Sequence, residues 1–148
     1  MATDPDTTLK LAIYKFTAEH ARVPTVRELA PIVGLDAEAV RAGFRRLFAD
    51  RVLVLERDGE TIRMAPPFSG VRTQHRVVAG GKEYFANCAW DSLGILAALH
   101  VPGEVFSRCE QTQEEVHLEV TAAGPKPAPV VVHFAVPASQ WWQDIVFT

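Results

Sequence analysis

Cysteine is scarce in this chain: two in 148 residues, Cys88 and Cys109. That is too few for the disulfide framework that staples small secreted domains, and the expectation is two reduced thiols in a cytoplasmic protein. Long apolar runs are missing too. The longest, Leu93 to Leu99, falls far short of the roughly 20 residues that cross a bilayer. The polar, acidic start from Met1 to Lys10 does not read as a signal peptide, and no polybasic or lipidation signal points to a membrane. Positive charge is not in excess either. Fifteen Lys and Arg against 18 Asp and Glu leave a net charge of −3, which is not the balance of a nucleic-acid binder. His20, His75, His100, His117 and His133 show no metal-ligand spacing, so a zinc site is not expected. Gly80-Gly81 sits in no phosphate-loop pattern, and Ser92 and Ser139 have no recognisable base partner.

What is present is a sequence 48% hydrophobic, enough for one compact domain or two small ones sharing a core. Leu9, Ile13 and Phe16 space as one helical face with Ala12 beside them, and Pro24 breaks the chain. Thr25-Val26-Arg27-Glu28 is a capping box opening a short helix that Gly34 ends near Val33. Asp36 caps a third helix, whose apolar positions Val40, Phe44, Leu47 and Phe48 fall on one side. Val52 to Glu56 reads as a strand, Asp58-Gly59 as a hairpin turn, and Thr61 to Met64 as the return. Three helices and a hairpin make a winged helix-turn-helix pattern.

Pro66-Pro67 through Gly70 reads as a linker. Strands are expected over Gln74–Val78 and Glu83–Phe85, with Gly80-Gly81 turning between them. A helix carrying Cys88 runs to about Leu99 or His100, stopped by Pro102-Gly103. Strands follow at Glu104–Arg108 and Glu115–Val120, where Val116, Leu118 and Val120 alternate with His117 and Glu119. A loop rich in glycine and proline, Ala122 to Pro129, leads to a hydrophobic strand over Val130–Val136. The expected fold is α+β: an N-terminal winged helix over 1–67 packed on a mixed β-sheet that bears the Cys88 helix over 68–148.

A winged helix raises the question of DNA. Arg41, Arg45 and Arg46 on the third helix and Arg57 and Arg63 on the wing favour it. Against it, residues 1–65 carry ten Lys and Arg and ten Asp and Glu, a balance of zero, and Asp36 and Glu38 occupy the helix start where base contacts usually begin. Binding DNA needs a basic surface that releases counterions, so the reading here is a packing scaffold, with DNA not expected as a partner.

The chemistry lies in Asn87-Cys88-Ala89-Trp90-Asp91. Residues i and i+3 share a helix face, so a thiol and a carboxyl three residues apart can touch one small molecule. With Asn87 as cap, Cys88 falls in the first turn, where free N–H groups and the dipole stabilise a thiolate. Soft sulfur selects soft metals such as mercury. A thiolate beside Asp91, and burial, make the two titrate as one unit, and a proton passed to the carboxylate when sulfur takes an electrophile makes it a general acid. A purely structural reading also exists: Asp in a first turn offsets the dipole, and a buried Cys packs as a small hydrophobe. Trp90, Trp141 and Trp142 read as core residues, although an apolar wall near Cys88 would suit an alkyl or aryl group.

The segment Phe85-Ala86-Asn87-Cys88-Ala89-Trp90-Asp91-Ser92-Leu93-Gly94, preceded by a winged helix, resembles the organomercurial (alkylmercury) lyase family, whose pattern there is an aromatic, a short step and C-A-x-D-x-L. Ser107-Arg108-Cys109 is similar to the family's stretch after the helix, where some members have another cysteine. His133-Phe134-Ala135-Val136-Pro137 and Trp142-x-Asp144-Ile145-x-Phe147 look like the approach to its last segment. The resemblance implies that Cys88 captures mercury and that Asp91 protonates the leaving carbon. The products would be a hydrocarbon and Hg(II), which passes to low-molecular-weight thiols; no organic cofactor is implied. The family uses a second catalytic cysteine after the tryptophans; this sequence stops at Thr148, about where it is expected, so either the chain is truncated or the protein works without it. Cys109 is a candidate substitute as a second mercury-binding sulfur, but its spacing matches the family's accessory cysteine, and the default reading is a buried structural thiol. Two alternatives stay open: a thiol-based binder of heavy metals or other soft electrophiles without turnover, and a winged-helix regulator with Cys88 as sensor.

Overall fold

Each of the first three helices begins on a side chain suited to hold its free amides. In a computed structural model that describes residues 4–146, Asp4 caps α1 (Pro5–His20) and accepts from the Thr7 amide. Thr25 caps α2 (Val26–Val33) in a complete capping box, with Glu28 reaching back to the Thr25 amide. Asp36 caps α3 (Ala37–Ala49), accepting from the Ala39 amide at 2.8 Å. Gly34 ends α2 at φ 69°, a left-handed conformation that glycine adopts without steric cost.

The chain divides into two compact units, Met1–Arg72 and Thr73–Thr148. In the first, the three helices pack on one another around Leu9, Ile13, Leu29, Val40, Phe44, Leu47 and Leu53. Phe48, expected on the buried face of α3, is 47% exposed. A small antiparallel sheet follows: β1 (Val54–Leu55), β2 (Ile62–Ala65) and β3 (Phe68–Ser69). β1 is shorter than the sequence suggests because the Val52 and Leu53 amides go to the Leu47 carbonyl at the end of α3. The stretch read as a linker contains β3, paired to β2. Between β1 and β2, the Asp58 carboxylate takes the Glu60 and Thr61 amides at 2.9 and 2.8 Å, and Gly59 supplies a φ of 71°.

The second unit is a five-stranded sheet in the order β5-β4-β6-β7-β8. Its strands are β4 (Arg76–Ala79), β5 (Lys82–Phe85), β6 (Gly103–Arg108), β7 (Glu115–Thr121) and β8 (Gly124–Pro125), with α4 (Ala89–Leu99) between β5 and β6. Every pairing is antiparallel, where a mixed sheet was expected. The reason is that α4 returns the chain past β5 to the far side of β4, so the parallel strands β5 and β6 never pair. α4 packs on β4 and β6. Gly103 allows this: a Cβ there would stand 2.5 Å from the Val78 carbonyl oxygen and 2.6 Å from a Leu96 methyl.

The alternation expected in β7 appears as half-buried Val116, Leu118 and Val120 between exposed neighbours. Val130–Val136 forms no strand, contrary to expectation. Val131 is 91% exposed, and β8 already borders β7. Proline at 125, 127 and 129 removes amide donors just upstream. A 3-10 helix, Ala138–Gln143, follows. Phe147 and Thr148, the end of the expected tryptophan-containing run, lie outside the described residues, as do Met1 to Thr3. Among the described residues no helix is long and apolar enough to cross a membrane.

Candidate active site

The β4–β5 hairpin delivers Cys88 to the start of α4. Gly80 and Gly81, at φ 56° and 74°, form a two-residue turn that fits strand twist. The register then runs Ala79↔Lys82, Val78↔Glu83, Val77↔Tyr84 and Arg76↔Phe85. Two residues of connector bring the chain to Cys88.

Cys88 is itself the N-cap of α4, with φ −150° and ψ 175°; Asn87 was the expected cap. Its Sγ accepts from the Asp91 amide at 3.4 Å, so sulfur does the work that a hydroxyl or carboxylate does on the other helices. Its carbonyl accepts from the Ser92 amide at 3.1 Å and the Ser92 hydroxyl at 3.2 Å, and Ser92 is fully buried. Asn87 has another use. Its side-chain amide donates to Asp91 Oδ2 at 3.1 Å. Asn87, Cys88 and Asp91 thus form one half-buried group, as the i, i+3 spacing predicts for the thiol and carboxyl.

The electrostatics differ from the sequence expectation. Burial pushes the Cys88 thiol up from its usual range, outweighing the lowering effect of the Asp91 amide, and the Asp91 carboxylate adds to the rise. The helix start therefore does not leave a free thiolate; the proton is retained. Burial also raises Asp91, against the lowering effect of its hydrogen bonds from Asn87 and Cys88. Burial dominates both shifts: the Asp91 charge adds to the rise at Cys88, whereas the hydrogen bond from Cys88 offsets part of the rise at Asp91.

Trp90 stands between them in sequence and is not core: it is 53% exposed. Its ring meets Phe134 edge-on at 6.1 Å between centroids, and Phe134 lies 5.0 Å from Trp141. Trp141 donates its indole N–H to the Val136 carbonyl at 3.1 Å. These rings, with Val136, Pro137 and Ala138, line an open cavity of about 480 Å³. Phe134 was legible as a family-like residue and Trp141 as a core residue, but neither as a partner of Trp90.

Cys109 sits in the turn between β6 and β7. Its Sγ accepts from the Thr112 amide at 3.5 Å, and hydrogen bonds from Thr112 and Gln111 lower its pKa. It is the more acidic thiol of the two by direction of shift. Among the described residues no group of three or more His, Cys, Asp or Glu side chains could hold a metal ion, so Cys109 does not join Cys88 and Asp91 in such a cluster. His75, expected at a surface or in a strand, is 7% exposed. Burial lowers its pKa, partly opposed by Glu110, and its Nδ1 is 2.7 Å from Ser107 Oγ.

Residues 68–148, more than half of the chain, match the family model of MerB, alkylmercury lyase. The chain belongs to the alkylmercury lyase family. Among solved structures it is similar to the mercury-bound form of MerB2, with a TM-score of 0.62 at 22% sequence identity; the match covers 85% of this chain and 67% of that one. At that identity the likeness speaks for the α+β fold. No curated protein matches the chain at a significant level.

Proposed function

We propose that this alkylmercury-lyase family member cleaves carbon–mercury bonds, with Cys88 as nucleophile and Asp91 as proton carrier. The observation that carries this reading is the shared setting of the two groups: a sulfur held against the Asp91 amide at 3.4 Å and a carboxyl whose pKa burial raises. The substrate is an organomercurial, R–Hg–X. The Cys88 sulfur bonds to mercury, X⁻ leaves, and the thiol proton passes to the Asp91 carboxylate. The protonated carboxyl then delivers that proton to carbon as the C–Hg bond breaks. A hydrocarbon R–H leaves, Asp91 is again a carboxylate, and mercury remains on Cys88 sulfur. One small thiol from solution supplies the second sulfur and loses its proton to solvent; a second displaces Cys88, gives its proton back to the Cys88 sulfur, and the metal leaves as a bis-thiolate. Asn87, donating to Asp91 Oδ2, holds the carboxyl toward the reacting centre. No metal or organic cofactor has a part in this scheme.

The raised thiol pKa fits such a cycle. A thiol that keeps its proton until a soft electrophile arrives has that proton to give, and mercury binding displaces it because metal ligation needs the thiolate. The aromatic cavity beside Trp90 suits the organic group R, which gains from burial against ring faces.

Incubation with an arylmercury salt and excess thiol tests the proposal. Wild type releases arene, and Cys88→Ser does not; equal release by both would sink it. Stoichiometric mercury binding without arene would select the binder without turnover. The DNA-regulator reading has less support. Arg41 pairs with Glu38 and Glu60, Arg45 with Glu38 at 3.4 Å, and Arg46 with both oxygens of Asp6 at 2.7 Å, so the α3 arginines are engaged by carboxylates rather than presented to phosphate.

A further inference from the structure

Just ahead of the reactive pair lies a set of hydrogen bonds that the chemistry above does not use. Ala86, two residues before Cys88, is fully buried, so both its backbone polar groups need partners. Its N–H donates to the His75 carbonyl at 2.9 Å. Its carbonyl accepts from the Thr73 hydroxyl at 2.6 Å. The same Thr73 oxygen accepts from the His75 amide at 3.2 Å. His75, almost wholly buried, is fastened in turn by its ring nitrogen to Ser107 on β6 at 2.7 Å. The β4–β5 ladder ends at Arg76↔Phe85. Beyond it, a side chain, Thr73, replaces the backbone partner that a longer strand would have supplied.

We propose that Thr73 is a positioning residue for Cys88, supported by His75 and Ser107. The Thr73 hydroxyl fixes the direction in which the chain leaves Ala86. That direction sets the extended conformation of Cys88, and with it the cap geometry that aims sulfur at Asp91. A threonine suits the task because its branched Cβ restricts χ1, so the hydroxyl is held rather than swung into place. Thr73 touches neither substrate nor reacting atoms, and its role rests on the Cys88–Asp91 reading of function.

The test uses a Cys109→Ser background, which leaves Cys88 as the one thiol of the two in the chain. Thr73→Val keeps the shape and removes the hydroxyl; Thr73→Ser keeps the hydroxyl. With an arylmercury salt, Thr73→Val lowers kcat about tenfold or more, because small misplacements of reacting groups are costly, while KM stays within about twofold. Alkylation by iodoacetamide at pH 8 moves the other way, rising about threefold as the thiol leaves its buried cap. Thr73→Ser restores both. A Thr73→Val variant with wild-type kcat and wild-type alkylation overturns the proposal. If wild type itself releases no arene, the lyase reading falls, and alkylation alone decides: equal rates for all three proteins overturn the positioning role. Thermal melting checks that Thr73→Val is folded. If it is not, Ser107→Ala, which removes the His75 partner and spares the Ala86 contact, takes its place; faster alkylation supports the proposal and a wild-type rate overturns it.

Discussion

The starts of α3 and α4 are the same structural problem solved with different atoms. Asp36 caps α3 with a carboxylate oxygen 2.8 Å from the Ala39 amide. Cys88 caps α4 with a sulfur 3.4 Å from the Asp91 amide. Oxygen is the preferred cap and sulfur a weak acceptor. Residue choice in the first unit therefore follows local stability, and at α4 it departs from it. Departures of this kind concentrate where chemistry is done. The same contrast holds for charge. In the first unit Asp6, Glu28 and Asp58 are lowered by their partners, Glu28 to about 2 by Arg22 and the Thr25 amide. Asp91 is raised, because burial there outweighs what Asn87 and Cys88 donate.

Exchanging the unusual cap for an ordinary one sharpens this contrast most. Cys88→Ser is expected to abolish arene release, a loss of about a thousandfold or more, while unfolding free energy in urea holds or rises by about 0.5 kcal/mol because serine is a good cap. A large loss of stability would mean that sulfur is the better structural choice, and the contrast would collapse. Next in size is Asp91→Asn, which lowers kcat by about 10² to 10⁴. Its stability reads out the sign of the pKa shift. In wild type the folded state holds the Asp91 proton above the unfolded pKa, so that group's contribution falls as pH rises through the window between the unfolded value and the raised folded one. Asp91→Asn removes that slope. A variant whose urea stability keeps the wild-type pH dependence between pH 4 and 7 would contradict a raised Asp91. Smaller again is Trp90→Ala, expected to raise KM for an arylmercury salt about tenfold with little change in kcat, since the ring binds R alike in ground and transition states.

The two units also differ in how much could be read from sequence. In the first unit both ends of α2 and the start of α3 were legible to the residue because caps and stops are local: Thr25 with Glu28, Gly34 and Asp36 each act within a few positions. The pairing of Cys88 with Asp91 was legible for the same reason. What was not legible depends on distant chain. Phe48 carries the α3 period but faces outward, because the core is closed without it. Val130–Val136 has strand composition, yet a strand needs an edge to pair with, and β8 occupies the one beside β7. The thiol pKa was misjudged because cap position and dipole are local, whereas burial depends on the whole unit. The His75–Ala86 pairing could have been counted: two glycines fix the turn, and stepping back from Ala79↔Lys82 sets His75 opposite Ala86; the Thr73 hydroxyl that completes it could not. The aromatic cavity could not, since Trp90 and Phe134 are joined by no periodicity.

Two further changes probe the ordinary side of the contrast. Thr25→Ala removes the α2 cap and is expected to cost about 1 kcal/mol, with iodoacetamide alkylation of Cys88 unchanged; altered alkylation would show that the cap in the first unit governs the reactive one. The least effect is expected from Glu38→Gln. Glu38 is 70% exposed at its side chain and pairs with Arg41 and Arg45, and exposed pairs of this kind contribute little to stability, so no measurable change in Tm follows. Its value lies elsewhere. The substitution removes one negative charge from the start of α3 and releases Arg45, while Glu60 still holds Arg41 and Asp6 still holds Arg46. If α3 were a masked recognition helix, this release would produce duplex binding that weakens steeply with salt. A packing helix gains nothing from one freed arginine, because counterion release needs several phosphate contacts made together. No binding at low salt is the expected result, and binding there would reassign the first unit from scaffold to reader.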